Sequence, residues 1–228
     1  MRSDCSRGPQ GTLRTLGNIA LCVLGVLCGG ARSAHAQGAP RVSLRVFGEA
    51  TAQRFSAVQS FDASFGGSVQ PFFGGGLQAT FRDRYFVEVG ASKFSKTGDQ
   101  VFVNNGQVFH LGIPMTATIT PLEVAGGYRF HPRRLRWLVP YAAAGAGSYL
   151  YRQTSALANP SEDVDVRKPG FLAAGGAEFR LQRWIGVAVD LEYTHIPGIL
   201  GSDPSVSHEF GETDLGGIAG RFRIVVGK

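Results

Sequence analysis

From about residue 41 onward, apolar and polar side chains alternate with a period of two, the spacing of a strand whose faces meet different surroundings. The alternation predicts eight strands near 41–52, 69–81, 85–95, 118–130, 138–151, 170–181, 184–195 and 215–226. About 9–11 residues cross a bilayer as a tilted strand, and these segments suit that length. No stretch in this region is a continuous apolar run long enough for a membrane helix. The nearest, Leu138 to Tyr151, is interrupted by Pro140 and rich in small residues. The connections alternate strictly between long and short. Residues 53–68, 96–117, 152–169 and 196–214 are long, whereas Arg82-Asp83-Arg84, His131 to Trp137 and Gln182-Arg183 are tight. Short turns at one end, longer loops at the other and an even strand count describe a transmembrane barrel with both termini on the short-turn side.

One parity is apolar. It holds Val42, Leu44 and Val46 on the first strand, Phe73, Leu77 and Phe81 on the second, and Val187, Val189 and Leu191 on the seventh. Lys93, at the loop end of the third strand, is its one charge. The other parity carries Arg45, Glu49, Glu88, Glu123, Arg129, Glu178, Arg180, Asp190, Glu192, Arg221 and Arg223. The fifth strand is ambiguous, with small residues on both faces.

Alternation alone does not say which face is inside, and a soluble secreted barrel would turn the apolar face inward. Three features favour the membrane reading. Aromatics flank the short turns as Phe81 and Tyr85, Phe130 and Trp137, Phe179 and Trp184, which is the expected girdle at one interface. The polar face mixes its charges with Gly74, Gly76, Gly90, Gly127, Ala174 and Gly176, unlike a wet surface. Lysine, the usual solubilising residue, occurs only four times, as Lys93, Lys96, Lys168 and Lys228. The charged row is therefore expected to line the lumen, five bases against six acids that neutralise one another. Counting from the short turns puts Glu88, Arg129, Glu178, Arg221 and Arg45 at similar heights, so Glu88 and Arg129 are expected to meet across adjacent strands or to contact a close neighbour. Arg54 or Arg152 is expected to reach the acid-rich upper level.

The segment before the barrel reads as a cleaved export signal. Arg2, Arg7 and Arg14 precede an apolar core at Leu16 to Leu27, and Ala34-His35-Ala36 offers small residues at the positions a signal peptidase admits. Cleavage is expected between Ala36 and Gln37, giving a signal peptide over 1–36 and a barrel domain over 37–228. All three cysteines, Cys5, Cys22 and Cys28, fall in that signal, so the mature domain cannot rely on disulfides. Without the signal, 19 bases and 16 acids remain, a net charge of +3, with no basic tract suited to nucleic acid.

Several motifs carry a family resemblance. Ile119-Thr120-Pro121-Leu122 leads to Gly127-Tyr128-Arg129-Phe130, and Val139-Pro140-Tyr141 enters a small-residue strand. Gly175-Gly176-Ala177-Glu178-Phe179 is followed by Asp190-Leu191-Glu192-Tyr193. The chain resembles the outer-membrane β-barrel family that includes the OmpA transmembrane domain, the opacity proteins and OmpW. The resemblance implies an all-β, eight-stranded antiparallel up-and-down barrel in the bacterial outer membrane. Its partners would be the surrounding lipid and, during insertion, the barrel-assembly machinery. It also implies a monomer. Two departures stand out. The usual terminal aromatic is replaced by Val226-Gly227-Lys228, with Phe222 internal, and no peptidoglycan-binding domain follows the eighth strand.

Candidate chemistry is sparse. His195 resembles part of the outer-membrane lipid A deacylase pattern, with Glu209 or Glu212 as a possible acid, but Pro197 stands where that pattern needs its serine. A serine-histidine-acid mechanism without the serine has no nucleophile, so no enzyme is expected. His110, His131, His195 and His208 are too scattered to bind a metal together, and Glu162, Asp163 and Asp165 read as a solvated loop. Gly74-Gly75-Gly76 opens no helix and cannot be a phosphate loop; it eases barrel curvature. No cofactor is expected. The favoured reading is a structural and surface-display barrel whose lumen is plugged by an ionic network. The alternative, implied by the OmpW resemblance, is a narrow route for small hydrophobic molecules.

Overall fold

The computed structural model describes residues 42–104, 107–132, 135, 137–155, 164–201 and 205–227. The expected cleavage site at Ala36 and Gln37 lies outside them. Eight strands form a closed antiparallel barrel in chain order: β1 (Val42–Phe55), β2 (Val69–Phe81), β3 (Tyr85–Asn104), β4 (Gln107–Arg129), β5 (Leu138–Ser155), β6 (Val164–Arg180), β7 (Ile185–His195) and β8 (Gly217–Gly227). Closure comes from β1 pairing with β8, so no strand edge is left unpaired at membrane depth. Two short helices sit in the longer connections, α1 (Val58–Phe65) and α2 (Val206–Glu209).

A row of paired residues can be followed once round the barrel. It runs from Ile185 through Val226, Val46, Leu77, Val89, Val124, Ala146 and Phe171 to His195. It returns to β7 ten residues above its start, from Ile185 to His195. That shear with eight strands sets a tilt of about 40° and an interior only wide enough for side chains.

The two faces settle the inside-outside question. Outward Leu44, Phe171, Leu77 and Leu191 are 70%, 67%, 62% and 66% exposed, while inward Arg223 and Asp190 are 3% and 2% exposed. Water would not tolerate an apolar belt of that extent, whereas lipid requires it. A soluble barrel with an apolar interior is excluded. Strand five also resolves: Val139, Tyr141, Tyr149 and Tyr151 point inward and Ala142, Ala144 and Ala146 outward.

The strands run further than the alternation predicts. Residues 96–117, expected as a loop, are mostly strand, since β3 and β4 stay paired up to Asn104 and Gln107. Towards the loop end the contrast changes sense although the ladder continues: the inner face is apolar, with Phe94, Met115 and Ala117 buried, and the outer face is polar. There Ser95 and Thr118 bond at 3.1 Å and Thr97 and Thr116 at 2.9 Å on the outer face. An irregularity between Asp99 and Val101 then reverses the parity. Likewise β5 runs to Ser155 and β6 begins at Val164, within the expected loop 152–169.

Candidate functional site

The lumen is built in two storeys. The lower one is ionic and begins above the short turns, where Glu178 on β6 accepts from two arginines. Arg45 reaches it with both guanidinium nitrogens, at 2.6 and 2.9 Å, and Arg129 Nη2 at 2.7 Å. Gln78 stitches this level to the next: its carbonyl oxygen accepts from Arg45 and Arg129 at 3.3 and 3.4 Å, and its Nε2 donates to Glu88 at 3.0 Å. Arg223 then crosses the lumen from β8 to Glu88 on β3 at 3.1 Å and also meets Asp190 at 3.0 Å. Its guanidinium lies over the rings of Phe47 and Tyr141, 5.3 Å from each centroid. The Tyr141 hydroxyl accepts from Arg223 at 2.5 Å and donates to Asp190 at 2.5 Å. Higher still, Arg221 donates to Asp190 at 2.6 Å and to Glu192, and Tyr149 donates to Glu123 at 2.8 Å. Charges at this depth persist because each level pairs with the next, although Arg221 Nη2 and Arg223 Nε are left without a hydrogen-bond partner. An unpaired charge would cost several kcal/mol, on the order of 3–5.

Four features differ from the expected network. Glu88 and Arg129 do not pair, because the register sets Glu88 opposite Ala125, four residues along β4 from Arg129. At about 3.3 Å per residue that separation exceeds a side-chain contact. Arg180 is exposed at the turn end beside His131, 3.2 Å away, and does not line the lumen. Arg54 and Arg152 both point outward, the latter paired with Asp165 at 2.6 Å. Glu49 and Glu123 therefore share the upper level with Arg221 as the nearest base, and the second counter-donor is a hydroxyl, that of Tyr149. Tyr141, Tyr149 and Gln78 escaped the sequence reading. The first two share a parity on β5, a signal masked by the alanines and glycines around them.

The upper storey is apolar. Phe55, Phe61, Phe65, Phe72, Phe94, Ile119, Tyr149, Tyr151 and Leu215 form one buried cluster at the loop end. Helix α1 supplies its lid, with Phe61 stacked on Phe55 at 4.0 Å between centroids. Nothing in α1 itself caps its N-terminus; the caps come from elsewhere. Glu212, in the last long connection, accepts from the Gln59 and Ser60 amides at 3.0 and 2.9 Å and from the Ser60 hydroxyl at 2.6 Å. At the other end Lys96 Nζ donates to the Phe65 carbonyl at 2.8 Å. An acid at the positive end and a base at the negative end both complement the helix dipole. Gly98 allows the fit, since a Cβ there would collide with the Ser64 carbonyl. Between the storeys lies a cavity of about 20 Å³, lined by Glu49, Phe55, Ile119, Glu123, Glu192 and Arg221 among others. That is room for about one water.

Among the described residues, His195 is paired with an acid alone. It is exposed on the outer face, with Nδ1 2.9 Å from Asp214, whose other oxygen accepts from the Ile196 and Gly216 amides at 2.7 and 2.9 Å. Glu212 is committed to α1, and Glu209 is exposed at the end of α2. Glu162 and Asp163 lie outside the described residues.

Known proteins with this architecture are diverged in sequence. OprG of Pseudomonas aeruginosa, an outer membrane protein, is 14% identical over 85% of this chain and 99% of its own, with a TM-score of 0.55. Ail, the attachment invasion locus protein of Yersinia pestis, solved with the heparin analogue sucrose octasulfate, is 10% identical over 82% and 97%, with a TM-score of 0.45. Neisserial surface protein A is 14% identical over 82% and 97%, also with a TM-score of 0.45. No curated protein matches the chain in sequence. The profile of the outer membrane protein beta-barrel domain matches residues 19–214, most of the chain. Together with the closed eight-stranded barrel and its apolar outer belt, that match places the chain in the outer-membrane β-barrel family.

Proposed function

We propose that this barrel is a closed, non-enzymatic surface protein, exported by a cleaved N-terminal signal and inserted with its short turns in the periplasm. Its long hairpins and last connection face outward and carry whatever contacts it makes. The observation behind this reading is the double obstruction of the lumen. An ionic network fills the lower storey, and α1, tied to β3 and to the last long connection, covers the upper one. The sole chemistry that tempted a catalytic reading, His195, is a loop staple on Asp214. Single-channel recording on refolded protein is the test. The expected trace is silent, and steady, reproducible openings would overturn the closed-barrel reading.

One observation favours the alternative of a narrow route for small hydrophobic molecules. The upper storey is apolar, with stacked aromatics where a greasy solute would lodge. In the present arrangement those aromatics fill the space themselves. Uptake of an apolar fluorophore into vesicles bearing the protein, unaffected by a silent conductance, would lift this reading above the first.

A further inference from the structure

The connections at the two ends of the barrel differ in charge, although the loop-end parts of β3, β5 and β6 also bear Lys96, Arg152, Arg167 and Lys168. In sequence, the connections at the long-loop end (residues 56–68, 105–106, 156–163 and 196–216) contain seven acids and neither lysine nor arginine. The three short turns (82–84, 131–137 and 182–183) contain six arginines and one acid, Asp83. Among the described residues, Arg82, Arg84, Arg180 and Arg183 are all exposed at the short-turn end. We infer that this arginine collar docks the phosphate headgroups of anionic phospholipids in the leaflet around the short turns. The contact rests on the fold alone, and its assignment to the periplasmic leaflet rests on the orientation proposed above.

Position selects lipid over a soluble partner. The arginines stand one to three residues from the aromatic girdle: Arg82 and Arg84 lie between Phe81 and Tyr85, and Arg183 precedes Trp184. Girdle aromatics sit at headgroup level. The turns are too short to lift a guanidinium clear of that layer, since Arg84 N bonds back to the Phe81 carbonyl at 3.1 Å and Gln182 N to the Ile185 carbonyl at 3.0 Å. At that height the anion available is a lipid phosphate. The residue type fits too. Arginine binds phosphate through two parallel donors, as lysine cannot, and every base in these turns is arginine. The backbone accepts a cost at this place as well. Arg82 has φ of 51°, where glycine, asparagine or aspartate would sit with less strain.

The chain supplies its own probe, because its two tryptophans, Trp137 and Trp184, are both at this collar. The protein is refolded into bilayers in which either the phosphatidylglycerol or the phosphatidylcholine carries bromine, and quenching of tryptophan reports which lipid adjoins the collar. Wild type should prefer phosphatidylglycerol by about fivefold or more, the effect of one base at an anionic surface. The preference should shrink in high salt and shrink clearly in the triple variant Arg82→Gln, Arg84→Gln, Arg183→Gln, which keeps the arginines of residues 131–137 and whose folding is checked by its heat-dependent gel shift. Equal quenching by both lipids in wild type, or a preference intact in the folded triple variant, would overturn the contact. So would a preference that survives chloride but disappears in inorganic phosphate of the same ionic strength, which would mark a site for free phosphate. The bilayer measurement is blind to orientation in the cell. External labelling of an Asp83→Cys variant in intact cells would therefore overturn the leaflet assignment alone.

Discussion

Adjacent residues on one strand meet opposite solvents, and single substitutions should reveal it. Val189 faces lipid and is 51% exposed, while Ala188 beside it is 2% exposed and packs in the lumen near Phe86 and Tyr141. Val189→Arg should cost about 2–4 kcal/mol near the midplane. Ala188→Ser adds one hydroxyl and should be mild. Urea unfolding in vesicles or a gel shift checks both, and similar losses would contradict the assigned parity. Inside the lumen, Arg129→Ala would leave Glu178 with Arg45 alone and strand part of a buried charge, a loss on the order of 3 kcal/mol. At the turn end, partial burial together with the positive charges of Arg180 and Arg129 holds His131 below the ordinary histidine range. Its folded form thus binds fewer protons than the unfolded chain just below neutrality, so its contribution to stability rises with pH there and is lost as pH falls. Arg180→Ala should move His131 back up, which a histidine NMR titration reads directly.

Among the elements, α1 has the least autonomy. Eight residues cannot hold a helix in water; Gly66 closes the C-terminus locally, but the first amides depend on Glu212 and the Phe65 carbonyl on Lys96. Glu212→Ala removes the acceptor of two amides and a hydroxyl, and should loosen the lid by about 1–2 kcal/mol. Amide exchange at Gln59 and Ser60 should then quicken while the strand ladders stay protected. Gly98→Val should have a larger effect on the same amides, since its side chain claims the place of the helix backbone. The strands below should not respond to either change, because every one of them is paired on both sides around the ring. If the ladders and the lid lost protection together, α1 would be part of the barrel's cooperative core and not a separate lid.

For the whole molecule, orientation follows from labelling. Cysteines in place of Gln107 and Glu209, both exposed at the long-loop end, should react with an impermeant reagent in intact cells. Cysteines in place of Asp83 and Arg183 should react only once the outer membrane is breached. The reverse pattern would invert the barrel and with it the leaflet given to the arginine collar. The same polarity bears on insertion. The turns bearing six arginines have to stay behind while connections richer in acids cross, and the lipid phosphates of the near leaflet favour that order.

Strand count, the parity of seven strands and the distinction between the two ends were legible in the chain, because each is a local property. Alternation along Val187, Val189 and Leu191 needs no knowledge of a neighbour, nor do the short turns beside Phe81 and Trp184. The upper halves of β3 and β4 were not legible, because towards the loop end the inner face turns apolar and the outer face polar, and the irregularity between Asp99 and Val101 then reverses the parity. The inward turn of Tyr141 and Tyr149 was hidden by small residues that fit either face. The ionic partners depended on something no single strand contains. A shear of ten residues carries Arg223 to Glu88 and Arg129 to Glu178, whereas residue counting from the turns put Glu88, Arg129, Glu178, Arg221 and Arg45 at similar heights and left their partners open. Glu212 lies 152 residues from Ser60, and only closure of the barrel brings it to the start of α1. Local pattern thus determined which residues meet lipid and which meet the lumen; the closed register decided which lumen residues meet each other.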